Sequence, residues 1–524
     1  MGLYLTITDT MKTYPIFKNI FRATLMATVL VAASCSDNND VDPALGPYEV
    51  DTPTNPTPEA PTSSDYNEQY RPQIHYTPAK NWSNDPNGMV YVNGTYHLFY
   101  QYNPQGNSWG NMSWGHATST DLIHWKEEGV ALSPDELGMI FSGSCVVDKD
   151  NTAGFGAGAI VAMYTSADKY QQQSLAYSTD GGAHFTKYDK NPVIPSTSND
   201  FRDPKMFWYE AGHKWVVELA TGNNHTIEIW TSSNLKQWEK ASTFSTTLDA
   251  CNKGQWECPD LFPLEYNGTT KWVQIVSTNP GGNAAGSGIM YFIGSFDGTT
   301  FTPDEGYDYP LWLDYGADNY AGVTWNNTGD KITYIGWMNN WNYAGVVPAS
   351  PWRSANTLPR DLKLISYEGK PLLASTVTSN IDQIAGEWKD ANQPENTNGG
   401  WEVQTTMPTT KDWTITLSNE AGEQYVLTYL SDERIISANR GVNTGETSFS
   451  NVFAVPSINM PINTESDEVT LNLFIDRSSV ELLTSNGSAA MTNIVFPKSI
   501  YNKVSVSGTD ASVKVRTLKR IWDN

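Results

Sequence analysis

The sequence predicts an all-β fold in two domains, a five-bladed β-propeller followed by a C-terminal β-sandwich, and three observations lead there. The first is composition. Forty Gly and 29 Pro interrupt nearly every stretch that could be helical, while 19 Trp, 27 Tyr and 17 Phe supply the bulky side chains that strands favour. The second is a repeat. Four segments share a strand ending in Ser or Thr, an acidic or amide turn, and an aromatic four or five residues on: ATSTDLIHWKE (Asp121, Trp125), AYSTDGGAHFTK (Asp180, Phe185), IWTSSNLKQWEK (Asn234, Trp238) and IGSFDGTTFTP (Asp297, Phe301). They recur at intervals of 59, 54 and 63 residues. A unit of that length holds several strands but cannot cover its own hydrophobic faces, so it stacks on neighbours as a propeller blade does. About five such units fit between residues 71 and 365, and the propeller is assigned to 71–368. The third observation is strict alternation in the tail, in WTITLS (413–418), YVLTY (425–429), EVTLNLFID (468–476), VSV (504–506) and VKV (513–515). Half-buried antiparallel strands alternate in this way, and residues 369–524 read as the sandwich.

At 524 residues the chain exceeds what one core supports, in keeping with two domains. Its 33 Lys plus Arg stand against 57 Asp plus Glu, a net charge of −24. Such a surface repels nucleic-acid backbones and anionic headgroups, which excludes nucleic acid as a partner. A polar, aromatic-rich chain of this kind suits ligands that offer hydroxyls and C–H faces, sugars foremost.

The amino terminus reads as an export signal over residues 1–34. Lys12, Lys18 and Arg22 precede an apolar run, Ala23 to Ser34, too short to span a bilayer, and Met11 fits as its start. Ala32, Ala33 and Ser34 before Cys35 resemble a bacterial lipoprotein box, which implies lipidation of Cys35; an ordinary cleaved signal is the plainer reading. The following Ser36-Asp37-Asn38-Asn39-Asp40 resembles the acidic export tag of surface lipoproteins in Bacteroides-like bacteria. That places the protein on the outer membrane, facing out, with a periplasmic or secreted location as the alternative. Residues 35–70 are rich in proline and poor in aliphatics, a semi-extended tether.

Four cysteines, at 35, 145, 251 and 258, leave an odd number once Cys35 is set aside, so no disulfide framework is expected, although Cys251 and Cys258 could pair. Neither HExxH nor CxxC occurs, and the seven histidines are scattered between 75 and 225. Asp148 and Asp150 begin like a calcium loop but meet Ala153 where glycine is required, so the segment reads as a turn. No metal and no cofactor is expected.

The chemistry concentrates in three segments. Asp85 stands between Asn84 and Pro86, where Pro86-Asn87-Gly88 reads as a tight turn fixing its carboxylate; alone, such a turn is as readily structural. SNDFRDPKMF sets Arg202 beside Asp203 and closes on Pro204. GQWECPDLFP flanks Glu257 with Trp256, Cys258 and Pro259, an apolar setting of the kind that keeps a carboxyl protonated. Three carboxylates on turns of different blades converge on a propeller axis.

Taken in order, Trp82-Ser83-Asn84-Asp85-Pro86-Asn87-Gly88, Phe141-Ser142-Gly143-Ser144, Arg202-Asp203-Pro204 and Glu257-Cys258-Pro259-Asp260 resemble glycoside hydrolase family 32, the invertases, inulinases and levanases. The likeness runs from about residue 75 to the carboxyl end and includes GWMNNWNYA (336–344), PWRSANTLPRDL (351–362) and FIDRSSVELL (474–483). The resemblance implies a retaining cleavage of fructosyl bonds, with Asp85 as nucleophile, Glu257 as acid/base and Asp203 as transition-state stabiliser, and with a carboxyl separation of about 5–5.5 Å. It also implies that Asn84, Gln101, Trp109, Phe141, Ser142, Arg202 and Trp341 line the terminal fructose pocket. Two segments depart from the family pattern. Ser83 stands where Met is frequent, and Asp-Phe-Tyr-Ala is here Asp318-Asn319-Tyr320-Ala321, which reads as lying beside the catalytic set. The expected activity is exo-hydrolysis of levan or inulin. Endo-levanase and a catalytically silent surface glycan-binding lipoprotein are the alternatives, and a five-bladed inverting arabinan or xylan hydrolase is the rival of the same fold.

Overall fold

The structure, a computed structural model, describes residues 65–522, all within one compact unit, Asn55–Asn524. The signal segment, Cys35 and most of the tether lie outside the described residues. Five four- or five-stranded sheets follow one another from Asn81 to Val377, and a six-stranded and a five-stranded sheet from Lys389 to Leu518.

Blade I is built from Asn81–Val92, Thr95–Asn103, Ser113–Ser119 and Lys126–Leu132, paired in that order. The other four blades likewise start from an innermost strand: Met139–Asp148 in II, Arg202–Tyr209 in III, Gln255–Tyr266 in IV and Tyr320–Thr324 in V. These five strands touch one another in a closed ring. Asn326 ties the ring together, pairing with Val90 while its Nδ2 donates to the carbonyls of Cys145 (2.8 Å) and Met206 (3.0 Å). Trp352–Arg353 returns to add in parallel to Asn81–Trp82.

The four repeats are the turns between the third and fourth strands of blades I–IV. In each, the Asp or Asn side chain accepts from backbone amides just ahead: Asp121 from Ile123 and His124, Asp180 from His184, Asn234 from Lys236 and Gln237, Asp297 from Thr299 and Thr300. These are Asx turns, which explains the shared acidic or amide position. Blade V has no fifth copy because its third and fourth strands, Arg360–Tyr367 and Lys370–Val377, join through a two-residue turn in which Glu368 (φ 49°) and Gly369 (φ 74°) are both left-handed. That hairpin straddles residue 368, so the fifth blade reaches Val377 and the sandwich begins with Lys389–Asp390. The Asp148 carboxylate closes a turn by accepting from the amides of Thr152 and Ala153, both at 2.8 Å.

The sandwich faces a six-stranded sheet, centred on Gly400–Pro408 and Glu468–Ile475, against a five-stranded one, centred on Gln424–Leu430. Trp401, Val403, Leu471 and Leu473 from the first meet Ile415, Leu427, Tyr429 and Ile436 from the second in one apolar core. Two buried ionic clusters join it to the propeller. In one, His75 bridges Asp476 and Glu481, both at 2.8 Å, while Arg360 of blade V pairs with Glu481 and with Asp314 at 2.9 Å. In the other, Arg440 pairs with Asp318, which also accepts from Tyr343 and the amide of Ile494.

The expected turns at Asp85, Asp203 and Glu257 prove to be strand. Each segment lies inside an innermost strand, an edge that faces the channel, where Pro86, Pro204 and Pro259 need no ladder donor. Each of the five innermost strands also slips its register near its start: between Ser83 and Pro86 (and again between Asn87 and Val90), Ile140 and Gly143, Arg202 and Lys205, Glu257 and Asp260, and Tyr320 and Val323. Asp203 (φ 61°), Cys258 (φ 46°) and Ala321 (φ 51°) adopt left-handed backbone at these bulges. A bulge re-aims the side chains around it.

Candidate active site

Five bulges in one ring direct five side chains at one another, one from each blade: Asp85, Ser142, Asp203, Glu257 and Tyr320. Ser142 Oγ donates to Asp85 Oδ2 at 2.6 Å, and Asn84 Nδ2 donates to Asp85 Oδ1 at 3.0 Å. Asn84 is itself held by Trp82 Nε1 at 2.7 Å. Burial lifts the Asp85 carboxyl above its ordinary range and the Glu257 charge adds to this, while the Ser142 and Asn84 bonds pull it down.

Glu257 is gripped from two sides. Arg202 Nε and Nη2 donate to its Oε1 at 3.1 and 3.0 Å, and Tyr320 OH donates to its Oε2. The apolar setting expected around Glu257 is therefore a polar one. Neighbours along a strand point to opposite faces, and Trp256 is buried in the core between blades III and IV, with its Nε1 on the Cys251 carbonyl at 3.0 Å. Cys258 is turned by its bulge toward the carboxylates, with Sγ 3.7 Å from Asp85 Oδ2 and 3.6 Å from Asp203 Oδ2. Cys251 and Cys258 do not pair; Cys145, Cys251 and Cys258 are all free thiols.

Asp203 Oδ2 accepts the Cys258 amide at 2.9 Å. Burial pushes the Asp203 carboxyl up to about 7, against the Arg202 guanidinium, and the charges of Glu257 and Asp85 push the same way. Burial opposes the charge on Arg202, but Glu257, Asp203 and Asp200 outweigh it and hold the guanidinium firmly cationic. One cation thus serves several carboxylates, and their mutual repulsion opposes full ionisation of the set.

The remaining expected residues form the surround. Phe141 is edge-on to Trp109 at 6.1 Å, and Trp109 stands 47 % exposed. Trp341 packs on Trp82 at 5.9 Å and on Trp337 at 4.9 Å. Gln101 is buried one layer back, where its Nε2 donates to the Ile140 carbonyl at 3.0 Å and fixes the strand carrying Phe141 and Ser142. Tyr320, read from sequence as lying beside the set, instead touches Glu257. The signal that finds it is the blade count, since four motifs for five blades leave one innermost strand without a contributor.

Comparison with known proteins gives a consistent result. The family model for the glycosyl hydrolases family 32 N-terminal domain matches residues 75–375, and that for the family 32 C-terminal domain matches 372–523. A levanase of Bacillus subtilis is 41% identical over 507 residues, spanning 88% of this chain and 72% of that protein. An extracellular exo-inulinase of Aspergillus ficuum is 39% identical over 519 residues, spanning 87% of this chain and 96% of its own. The crystal structure of an exo-inulinase from Aspergillus awamori superimposes with a TM-score of 0.81 at 36% identity, covering 87% of this chain and 100% of that one. With both domains matched end to end, the chain belongs to glycosyl hydrolase family 32.

Proposed function

We propose that the protein is a retaining, exo-acting hydrolase of the β-fructosidic bonds of levan or inulin. The observation that carries this reading is the pairing of differently held carboxylates: Asp85, poised by Ser142 and Asn84, and Glu257, gripped by Arg202 and Tyr320. The relatives named levanase and exo-inulinase support fructan as the substrate.

In the first step Glu257 donates its proton to the glycosidic oxygen as Asp85 attacks the anomeric carbon; the C–O bond breaks and a covalent fructosyl ester forms on Asp85. In the second, Glu257, now a carboxylate, takes a proton from water. The resulting oxygen nucleophile attacks the same carbon, releasing fructose and regenerating Asp85. Asp203 holds fructose hydroxyls and steadies the oxocarbenium-like transition state, with Arg202 countering the surplus negative charge. Asn84, Gln101, Trp109, Phe141, Ser142 and Trp341 shape a pocket for one terminal fructose, which favours exo action.

Homologues that include an extracellular enzyme support an extracellular site of action. Anchoring by lipid at Cys35 on the outer surface of a bacterial outer membrane would place the enzyme where fructan polymer is met.

A product time course on levan and on inulin tests the reading. Fructose alone from the earliest points is expected, with the configuration of the first-formed anomer kept. Early oligosaccharides mean endo action, an inverted anomer removes the covalent step, and binding without release of reducing sugar removes the enzyme claim. Glu257→Ala should lower kcat by two to four orders of magnitude, the size of a general acid–base contribution, with substrate binding retained.

A further inference from the structure

A few residues farther along the strands that carry the carboxylates lies a second charged cluster that takes no part in the steps above. Lys205 and Asp260 are buried there, with Nζ 3.1 Å from Oδ2. The Lys205 ammonium also donates to the Thr324 carbonyl at 2.6 Å, and Asp260 Oδ2 accepts the Thr324 amide at 2.7 Å and its Oγ1 at 2.8 Å. Each of the three stands just past the register slip of its own innermost strand: Lys205 in blade III, Asp260 in blade IV, and Thr324 one residue beyond Val323 in blade V. Arg202-Asp203, Glu257-Cys258 and Tyr320 stand at or inside the same slips. One buried ion pair therefore pins the three bulges from which these groups project.

Glu218 completes the cluster. It lies opposite Lys205 in the blade III ladder, at the pair next to the slip, and its Oε2 accepts Gln274 Nε2 at 2.9 Å. Burial pushes the Glu218 carboxyl up to about 8 and the Asp260 charge adds to this, while the Gln274 bond and the Lys205 ammonium pull it down. Burial likewise lowers the Lys205 pKa, with Asp260 and Glu218 opposing. Among the described residues, Glu218 Oε1, Asp260 Oδ1 and Gln274 Oε1 are buried oxygens without a hydrogen-bond partner. A cluster this rich in acceptors is served by one more donor, which a protonated carboxyl supplies. Two ionised carboxylates would instead set a surplus buried charge against a single ammonium. We propose that Lys205, Asp260 and Glu218 act together as a positioning device for the reaction: ionised Asp260 answers Lys205, Glu218 keeps its proton, and the pinned bulges hold Asp203, Glu257 and Tyr320 within reach of one another. The effect on turnover rests on the catalytic roles proposed above for Asp203 and Glu257; the proton on Glu218 does not.

Infrared difference spectra and steady-state kinetics on the full chain test the device. At pH 7 the parent should show a carbonyl band of a protonated carboxylic acid that is missing from Glu218→Gln and that titrates away through about pH 8. Asp260→Asn keeps the shape of the side chain and removes its charge, so Glu218 should ionise in its place and the same band should be gone at pH 7. With a short fructo-oligosaccharide as substrate, Asp260→Asn and Lys205→Met should each lower kcat about tenfold to a hundredfold while KM changes by less than about threefold, as a small misplacement of reacting groups does. Asp260→Asn keeps the test valid where Lys205→Met fails to fold. A parent spectrum in which Glu218→Gln removes no such band, survival of the band in Asp260→Asn, or an Asp260→Asn variant that loses thermal stability while keeping kcat overturns the proposal. An inverted first product from the parent would remove the covalent step proposed above and leave the infrared result standing, so the two readings fail separately.

Discussion

Asp85 and Glu257 are chemically similar carboxyls that the fold holds by different means, and the residues holding them should separate in kinetics. Ser142 donates to Asp85 Oδ2 at 2.6 Å and opposes the upward push of burial on that carboxyl. With Asp85 as the proposed nucleophile, only its ionised form would attack. Ser142→Ala removes a stabilising bond from that form, so the Asp85 pKa rises and the acid limb of kcat/KM moves to higher pH. Tyr320→Phe acts on the other partner. It frees Glu257 Oε2 while leaving Arg202 on Oε1, so kcat should fall about tenfold to a hundredfold with KM little changed and the Asp85 limb in place. A pH–rate series on the two variants checks both; an unmoved acid limb in Ser142→Ala would falsify the poise assigned to that bond.

At the scale of the element, the site is a ring of bulges, and this is where sequence and structure part. The motifs around Asp85, Ser142, Arg202-Asp203 and Glu257 are legible because each fixes local chemistry in a short run. The bulges are not, since a register slip depends on the partner strand: Pro86, Pro204 and Pro259 read as turn signals until the innermost strand is known to be a free edge. Tyr320 is hidden for the same reason, its reach to Glu257 depending on the slip between Tyr320 and Val323. The Asx turns of blades I–IV were legible as a repeat because they depend only on local hydrogen bonds. A second element, the 280–287 loop of blade IV, steadies the aromatic wall. Trp341 donates its amide to Ser287 Oγ at 3.0 Å, and Asn340 Nδ2 donates to the Ala285 carbonyl at 3.1 Å. The loop is in turn tied to the sandwich by Asn283 Nδ2 on the Asn459 carbonyl at 3.1 Å. Gly286 is left-handed (φ 70°), and a Cβ there would stand 2.3 Å from Asn340 Oδ1 and 2.5 Å from Asn342 Nδ2. Gly286→Ala should therefore displace Trp341 and raise KM about tenfold, with Ser287→Ala raising it two- to threefold and both keeping most of kcat. Steady-state kinetics on a short fructo-oligosaccharide reads the split, and a fall in kcat alone would place the effect on the carboxylates instead.

For the whole molecule, the junction of propeller and sandwich gives stability a pH window. A buried ion pair adds little over an apolar contact of the same shape, yet removing one partner strands the other; here His75, Asp476, Glu481, Arg360 and Asp314 are mutually committed. Burial alone would lower the His75 pKa, but its hydrogen bonds to Asp476 and Glu481 prevail and raise it from 6.5 to about 9. A group raised in the folded state stabilises fully below its unfolded value and loses that contribution as pH climbs through the folded one. The His75 contribution is thus whole below about 6.5 and gone above about 9, and the shift corresponds to about 3 kcal/mol. Glu481 runs the other way. The Arg360 charge and the His75 hydrogen bond outweigh burial and bring it from 4.5 down to about 2, so its contribution is present above about 4.5 and lost toward 2. The junction is accordingly strongest between about pH 4.5 and 6.5. Thermal midpoints of the parent should fall by about 3 °C between pH 6.5 and 9.5 through this group. His75→Gln, which keeps hydrogen-bonding capacity but carries no proton to lose, should be less stable at pH 6 and should show that much less decline on the alkaline side. Parallel alkaline declines in parent and variant would assign the pH dependence to other groups.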